Sequence, residues 1–190
     1  MSILELQPTP TALWHKLVCD AEEAMDIKLD HDLESYLVFL LMRFTSKPSA
    51  LSKILALDYL NCQKSSGTIR QELLRDVGDQ CLLFSGLFPK LAERRQVKNS
   101  YYVNLGRGAY SDLSGSLRHS LANMYAQLSE SFVSLMDVLR AIRTSGDHHD
   151  LSNPLQAFEL WDETKSQHAY KTLLETSNAL PASIISHKKH

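Results

Sequence analysis

The chain has 190 residues, 44% hydrophobic and 22% charged, with a formal net charge of −2, which suits one domain with a continuous core and not a strongly basic nucleic-acid binder. Leucine is abundant, seven glycines and six prolines are few, and β-branched residues rarely alternate with polar ones, so helices are favoured over sheet. Three scattered cysteines, Cys19, Cys62 and Cys81, offer neither a disulfide framework nor a pair at zinc-ligand spacing and suit reduced, buried thiols.

The opening stretch MSILELQPTPTALWHK carries Glu5 where a secretory signal has positive charge, and its apolar positions are interrupted. Pro8 and Pro10 mark an extended lead-in, and Thr11 is the expected N-cap of a helix reaching Asp26. Leu13 or Trp14, Leu17, Val18, Ala21 and Met25 form its apolar stripe. Asp30 or Asp32 caps a second helix with Leu33, Tyr36, Leu37, Leu40, Leu41 and Phe44 aligned. Val38, Phe39 and Met42 make that helix apolar nearly all round, so a central place is expected. The longest apolar run, Tyr36 to Met42, has seven residues, against about 20 for a membrane span. A cytoplasmic protein without membrane contact is the expectation.

Ser46-Lys47-Pro48 ends the second helix. A shorter one runs from about Ser49 to Cys62, and Ser65-Ser66-Gly67 makes the next turn. From Thr68, Ile69, Leu73, Val77, Cys81 and Phe84 recur at helical intervals until Gly86, and Pro89 starts a short helix to Gln96. The helix from about Ser100 carries Tyr101, Leu105, Tyr110 and Leu113. Gly106 and Gly108 within it imply either a break or a close crossing by another backbone. Leu117 through Ile142 describes one helix of about seven turns, stopped at Ser145-Gly146. After the polar loop Asp147–Asp150, Asn153-Pro154 introduces a helix with Leu155, Phe158 and Trp161, and a weaker piece spans Gln167 to Glu175. The tail Ser177–His190 is expected to be disordered. The pattern predicts an all-α, single irregular bundle of seven or eight helices over residues 1–176, with Leu33–Phe44 and Leu117–Ile142 at its centre.

No catalytic constellation emerges. No Glu is followed by His at the third position, as a carboxylate-bridged metal site in a bundle requires. The adjacent pair His148 and His149 is a weak metal candidate, because neighbouring side chains seldom reach one centre. There is no Gly-x-Ser-x-Gly, the Ser-x-x-Lys of Ser186–Lys189 lies in the tail, and Gly106-Arg107-Gly108 lacks the third glycine and lysine of a phosphate loop. Cys81, within CLLF, reads as an inert thiol. No catalytic residue, cofactor or metal is expected.

Charge is uneven, however. Residues 1–45 carry eight acids against three bases, whereas residues 80–111 carry Lys90, Arg94, Arg95, Lys98 and Arg107 against Glu93 alone. Lys90, Arg94 and Lys98 recur every four residues as a basic ridge with Arg95 beside it, and Tyr101, Tyr102, Arg107 and Tyr110 extend it. Such groups bind phosphate and stack on bases, which makes a nucleic-acid-binding regulator one reading. Tyrosine and arginine are also the types enriched at protein interfaces. A structural alternative pairs Arg94 or Arg95 with the acidic first helices and packs the tyrosines with their polar tips bonded. A small-ligand pocket using Tyr101, Tyr102, Tyr110 or a histidine is a further alternative. The favoured expectation is a non-enzymatic interaction or adaptor protein presenting residues 88–110 to a protein partner or to itself.

The stretches LESYLVFLLMRFT (Leu33–Thr45) and LFSGLFPKLAERRQVKNSYYVNLGRGAY (Leu83–Tyr110) carry Phe-x-Gly-x-Phe-Pro, Arg-Arg, Tyr-Tyr and Gly-x-x-Ala-Tyr. In these the chain resembles a group of small uncharacterised proteobacterial proteins. The resemblance implies a bacterial cytosolic origin and no activity.

Overall fold

The computed structural model describes residues 9–46, 55–94, 97–146 and 154–176. Helix α1 (Pro10–Met25) begins after Thr9, whose hydroxyl accepts from the Ala12 amide at 3.2 Å. Thr11 is therefore not the cap: Pro10 occupies the first helical position, where its missing N–H would be unpaired anyway, and the cap falls two residues earlier. The helix ends at Asp26 in a left-handed conformation (φ 55°), with the Asp26 and Ile27 amides donating back to carbonyls of the last turn. The Glu22 carboxylate accepts from the Leu29 amide at 2.7 Å and ties down the connection. Helix α2 (His31–Ser46) then returns antiparallel, with Thr11 against Met42 and Cys19 against Glu34.

There follow α3 (Leu55–Lys64), α4 (Gly67–Gly86), α5 (Pro89–Arg94), α6 (Asn99–Ser116), α7 (His119–Glu130), α8 (Phe132–Gly146), α9 (Pro154–Thr164) and α10 (Gln167–Thr176). The described residues thus form ten helices and no strand, an all-α fold. The weak piece after Gln167 is a helix, and the predicted seven-turn helix is divided at Ser131. The apolar stripe runs unbroken across that point, from Tyr125 and Leu128 to Phe132 and Leu135, so periodicity does not register the division. The division lets α7 pack on α6 while α8 packs on α1 and α4. No helix among the described residues is long and apolar enough to cross a membrane.

The centre is α4. Every residue from Val77 to Gly86 is buried, and the most extensive helix contact is that between α4 and α6. Helix α8, with Phe132, Leu135, Met136, Val138 and Leu139 buried, is its second wall. Helix α2 lies further out than expected. Its Leu33, Leu37, Val38, Leu40 and Leu41 are buried, but Phe39 is 63% exposed. Each fully buried leucine or phenylalanine contributes roughly 1.5–3 kcal/mol through removal of apolar surface from water.

Small residues set the close crossings. A Cβ at Gly106 would lie 2.5 Å from two ring carbons of Phe132 and 2.8 Å from the Cys81 Cβ, and one at Gly78 would lie 2.6 Å from Tyr110 Cδ1. Helix α6 accordingly runs unbroken through Gly106 and Gly108. Of the two expectations for that pair, the break does not occur, and the close approach at Gly106 is made by side chains, Phe132 of α8 and Cys81 of α4.

Candidate functional site

Among the described residues, the polar groupings that bear on function include a buried carboxylate hub, the region of the basic ridge, and an N-terminal cluster of unlike donors. The hub is built on Asp79, in the middle of α4 and 2% exposed. Its Oδ1 accepts from the Tyr36 hydroxyl at 2.5 Å and from the Tyr110 hydroxyl at 2.7 Å, and its Oδ2 accepts from the Arg43 guanidinium. Tyr36 and Arg43 are seven apart on α2, two turns along one face. Tyr110 comes from α6, seated over Gly78. Tyr125 of α7 completes the cluster, its ring centroid 6.0 Å from that of Tyr36 and 5.9 Å from that of Tyr110.

Burial pushes the Asp79 carboxyl above its ordinary range, and Arg43 and the two tyrosine hydroxyls oppose that shift. The same burial, reinforced by the nearby carboxylate, drives Tyr36 and Tyr110 well above ordinary phenols, so both hydroxyls remain donors through the neutral range. Both carboxylate oxygens are committed to protein donors. Chemically the hub is a three-helix tie joining α2, α4 and α6.

The sequence-predicted binding residues divide between core and surface. Tyr102 is 2% exposed and stacks on Phe84 with centroids 5.4 Å apart, and Tyr110 is fully buried in the hub. These two belong to the interior and not to a presented surface. Tyr101, the residue before Tyr102 on α6, turns outward at 41% exposure. Arg107 is exposed, but its Nε donates to the Ser129 carbonyl at 3.2 Å while the Ser129 hydroxyl returns a bond to the Arg107 carbonyl at 2.9 Å, which fastens α6 to α7. Lys98 pairs with Glu163 of α9 at 2.8 Å. That pairing holds Glu163 below the usual carboxylate range, with Ser100 assisting, and raises Lys98. Lys90 and Arg94 lie exposed on α5, whereas Arg95 falls outside the described residues. Helix α5 ends at Arg94, and Val97 and Lys98 lie outside helix before α6 starts at Asn99, so Lys90 and Arg94 belong to one helix and Lys98 to the lead-in of the next. His148 and His149 also lie outside the described residues, as does the tail 177–190.

Beside Lys98 a groove of about 250 Å³ opens between the start of α6 and α9, lined by Val97, Lys98, Asn99, Gln156, Glu159, Leu160 and Glu163. The Asn99 Oδ1 is shut off from solvent and accepts no hydrogen bond among the described residues. At the opposite end of the chain, His15 and Cys19 of α1 meet Glu34 of α2. The imidazole pairs with the carboxylate, and the thiol lies 3.7 Å from both His15 Nδ1 and Glu34 Oε1.

Sequence reasoning overlooked Asp79, Tyr36, Arg43 and Tyr125, and also His15, Cys19 and Glu34. A polar residue inside the apolar face of α4 was the available sign for Asp79, and a His and a Cys four residues apart on one helix face was the sign for the second cluster. Neither pattern identifies its partner on α2. In comparison with protein-family models, with curated proteins and with solved structures, the chain matches none of them.

Proposed function

We propose that the protein is a non-enzymatic helical adaptor that docks a protein partner on the surface formed by the end of α5, the start of α6 and the passing face of α9. The observation that carries this reading is the split of the adjacent tyrosines: Tyr102 is locked against Phe84, while Tyr101 is presented beside Lys98. The ring-edge contact between the two, with centroids 5.5 Å apart, props the exposed ring on a rigid base. A preorganised aromatic loses little freedom on binding, which is why tyrosine serves as an interface anchor. The adjacent groove offers Val97 and Leu160 as apolar floor and Lys98, Glu159 and Glu163 as charged rim.

The nucleic-acid reading draws less support, because Lys98 is paired to Glu163, Arg107 is bonded across to α7, and α9 adds carboxylates to the rim. The test compares the wild-type chain with Tyr101→Ala combined with Lys98→Glu as baits in cell extract, alongside sedimentation of each alone. A partner, or a second copy, held by the wild type and lost from the variant, with helicity unchanged, is expected. A monomer that retains nothing, or a partner held equally by both, rejects the proposal.

A further inference from the structure

We propose that His15, Cys19 and Glu34 form a three-ligand site for a zinc-class divalent transition metal ion, with a fourth coordination position open to the acidic cleft between α1 and α2. The three donor atoms lie within 4.8 Å of one another. A tetrahedral zinc ion, with bonds of about 2.3 Å to sulfur and about 2.0–2.2 Å to nitrogen and oxygen, places its sulfur roughly 3.6 Å from the other donors. The Cys19 Sγ is 3.7 Å from His15 Nδ1, 4.0 Å from His15 Nε2 and 3.7 Å from Glu34 Oε1. Only the His15–Glu34 ion pair is closer than a shared metal requires, and an exposed imidazole has the rotamer freedom to open it.

The backbone supplies the placement. His15 and Cys19, four apart, sit one above the other on α1, so their spacing is set by helix geometry. Glu34 lies in the first turn of α2 and is brought opposite by the α1–α2 turn, which Glu22 holds through the Leu29 amide. A mixed sulfur, nitrogen and oxygen donor set suits zinc or cobalt, whereas calcium and magnesium take oxygen alone. The cleft of about 340 Å³ adjoining the cluster is lined by Glu22, Glu23 and Asp26 as well as Cys19 and Glu34, with Lys28 the basic residue in the lining. That carboxylate excess attracts a divalent cation. Without a metal, the same atoms amount to a surface ion pair with a thiol beside it, and the experiment separates the two.

The full-length chain, stripped with chelator and kept reduced, is titrated with Co²⁺ and then with Zn²⁺. One equivalent of Co²⁺ is expected to give a near-ultraviolet sulfur-to-cobalt charge-transfer band and the intense visible bands of tetrahedral cobalt, and Zn²⁺ to bleach both. Cys19→Ser should abolish the charge-transfer band. His15→Ala and Glu34→Gln should each weaken Zn²⁺ binding by at least about 10-fold, while His31→Ala, an exposed histidine at the start of α2, leaves it unchanged. Independently of any variant, Zn²⁺ should slow alkylation of Cys19 in the wild-type chain, read by mass spectrometry of its peptide. Absence of the band, a band that survives Cys19→Ser, Zn²⁺ affinity unaltered in the ligand variants, or alkylation indifferent to Zn²⁺ overturns the site.

Discussion

At the residue scale, Asp79 is the polar group on which most depends. A buried carboxylate is tolerated only when its lone pairs are met, and here two hydroxyls and a guanidinium meet them. Replacing Asp79 by Ala leaves the buried Tyr110 hydroxyl and the Tyr36 hydroxyl without their acceptor. Arg43, about half exposed, can turn to water. The expected loss is therefore toward the lower end of about 3–5 kcal/mol, measured by urea unfolding. Tyr110→Phe, which removes one donor, should lose only about 1 kcal/mol. Equal losses from the two variants would mean that the Tyr36 and Arg43 bonds add nothing once the Tyr110 bond is gone, against three separate contributions to the tie. The donors lie 43, 36 and 31 residues from Asp79, and no local pattern in the chain encodes a contact across that distance. Tyr110 was singled out from composition, yet its role is decided by Gly78 and Asp79 across the helix crossing.

At the element scale, polar groups dock helices as well as apolar stripes. Asp137 of α8 accepts from the Ser166 hydroxyl at 2.5 Å and the Gln167 amide at 2.8 Å, and Ser166 itself caps the Ala169 amide at 3.1 Å, so α10 starts against α8 through a shared N-cap. Burial raises the Asp137 carboxyl overall, although these donors and Arg140 pull it down. A carboxyl raised in the folded state binds its proton more tightly there than in the unfolded chain. Its contribution is then fully present below the unfolded value of about 3.9 and is lost as pH rises through the folded value. Stability of the wild type relative to Asp137→Asn is accordingly expected to fall as pH climbs above about 4, followed by thermal unfolding across the acid range. A difference that instead grows with pH would mean that the N-cap donors outweigh burial. The sequence places α10 as a weak apolar piece and says nothing of this anchor, because Asp137 falls within a stripe that reads as continuous helix.

At the scale of the whole molecule, α4 is the axis. It has modest amphipathicity to the eye, with Gly78, Asp79, Gln80, Ser85 and Gly86 among its apolar residues, yet all of these are buried. Ser85 satisfies itself on the carbonyls of Cys81 and Leu82, Asp79 is met by the hub, and the glycines admit neighbouring side chains. Native-state hydrogen exchange should therefore find the amides of Val77–Gly86 among the slowest, opening only with global unfolding, and those of α9 faster. The reverse order would place the cooperative core elsewhere.

Helix class, the approximate bounds of most elements and the short Pro89 helix were determined by the sequence alone, because proline, glycine and apolar spacing act within a few residues along the chain. The tertiary structure alone decided that α4 lies at the centre, that Ser131 divides α7 from α8, that Tyr102 points in while Tyr101 points out, and that His15 and Cys19 face Glu34. The physical reason is the same in each case: a side chain's role depends on what the opposing helix offers it, whether a glycine gap, a carboxylate or a second donor. The opposing helix is distant in sequence, so its offer is settled only when the helices pack.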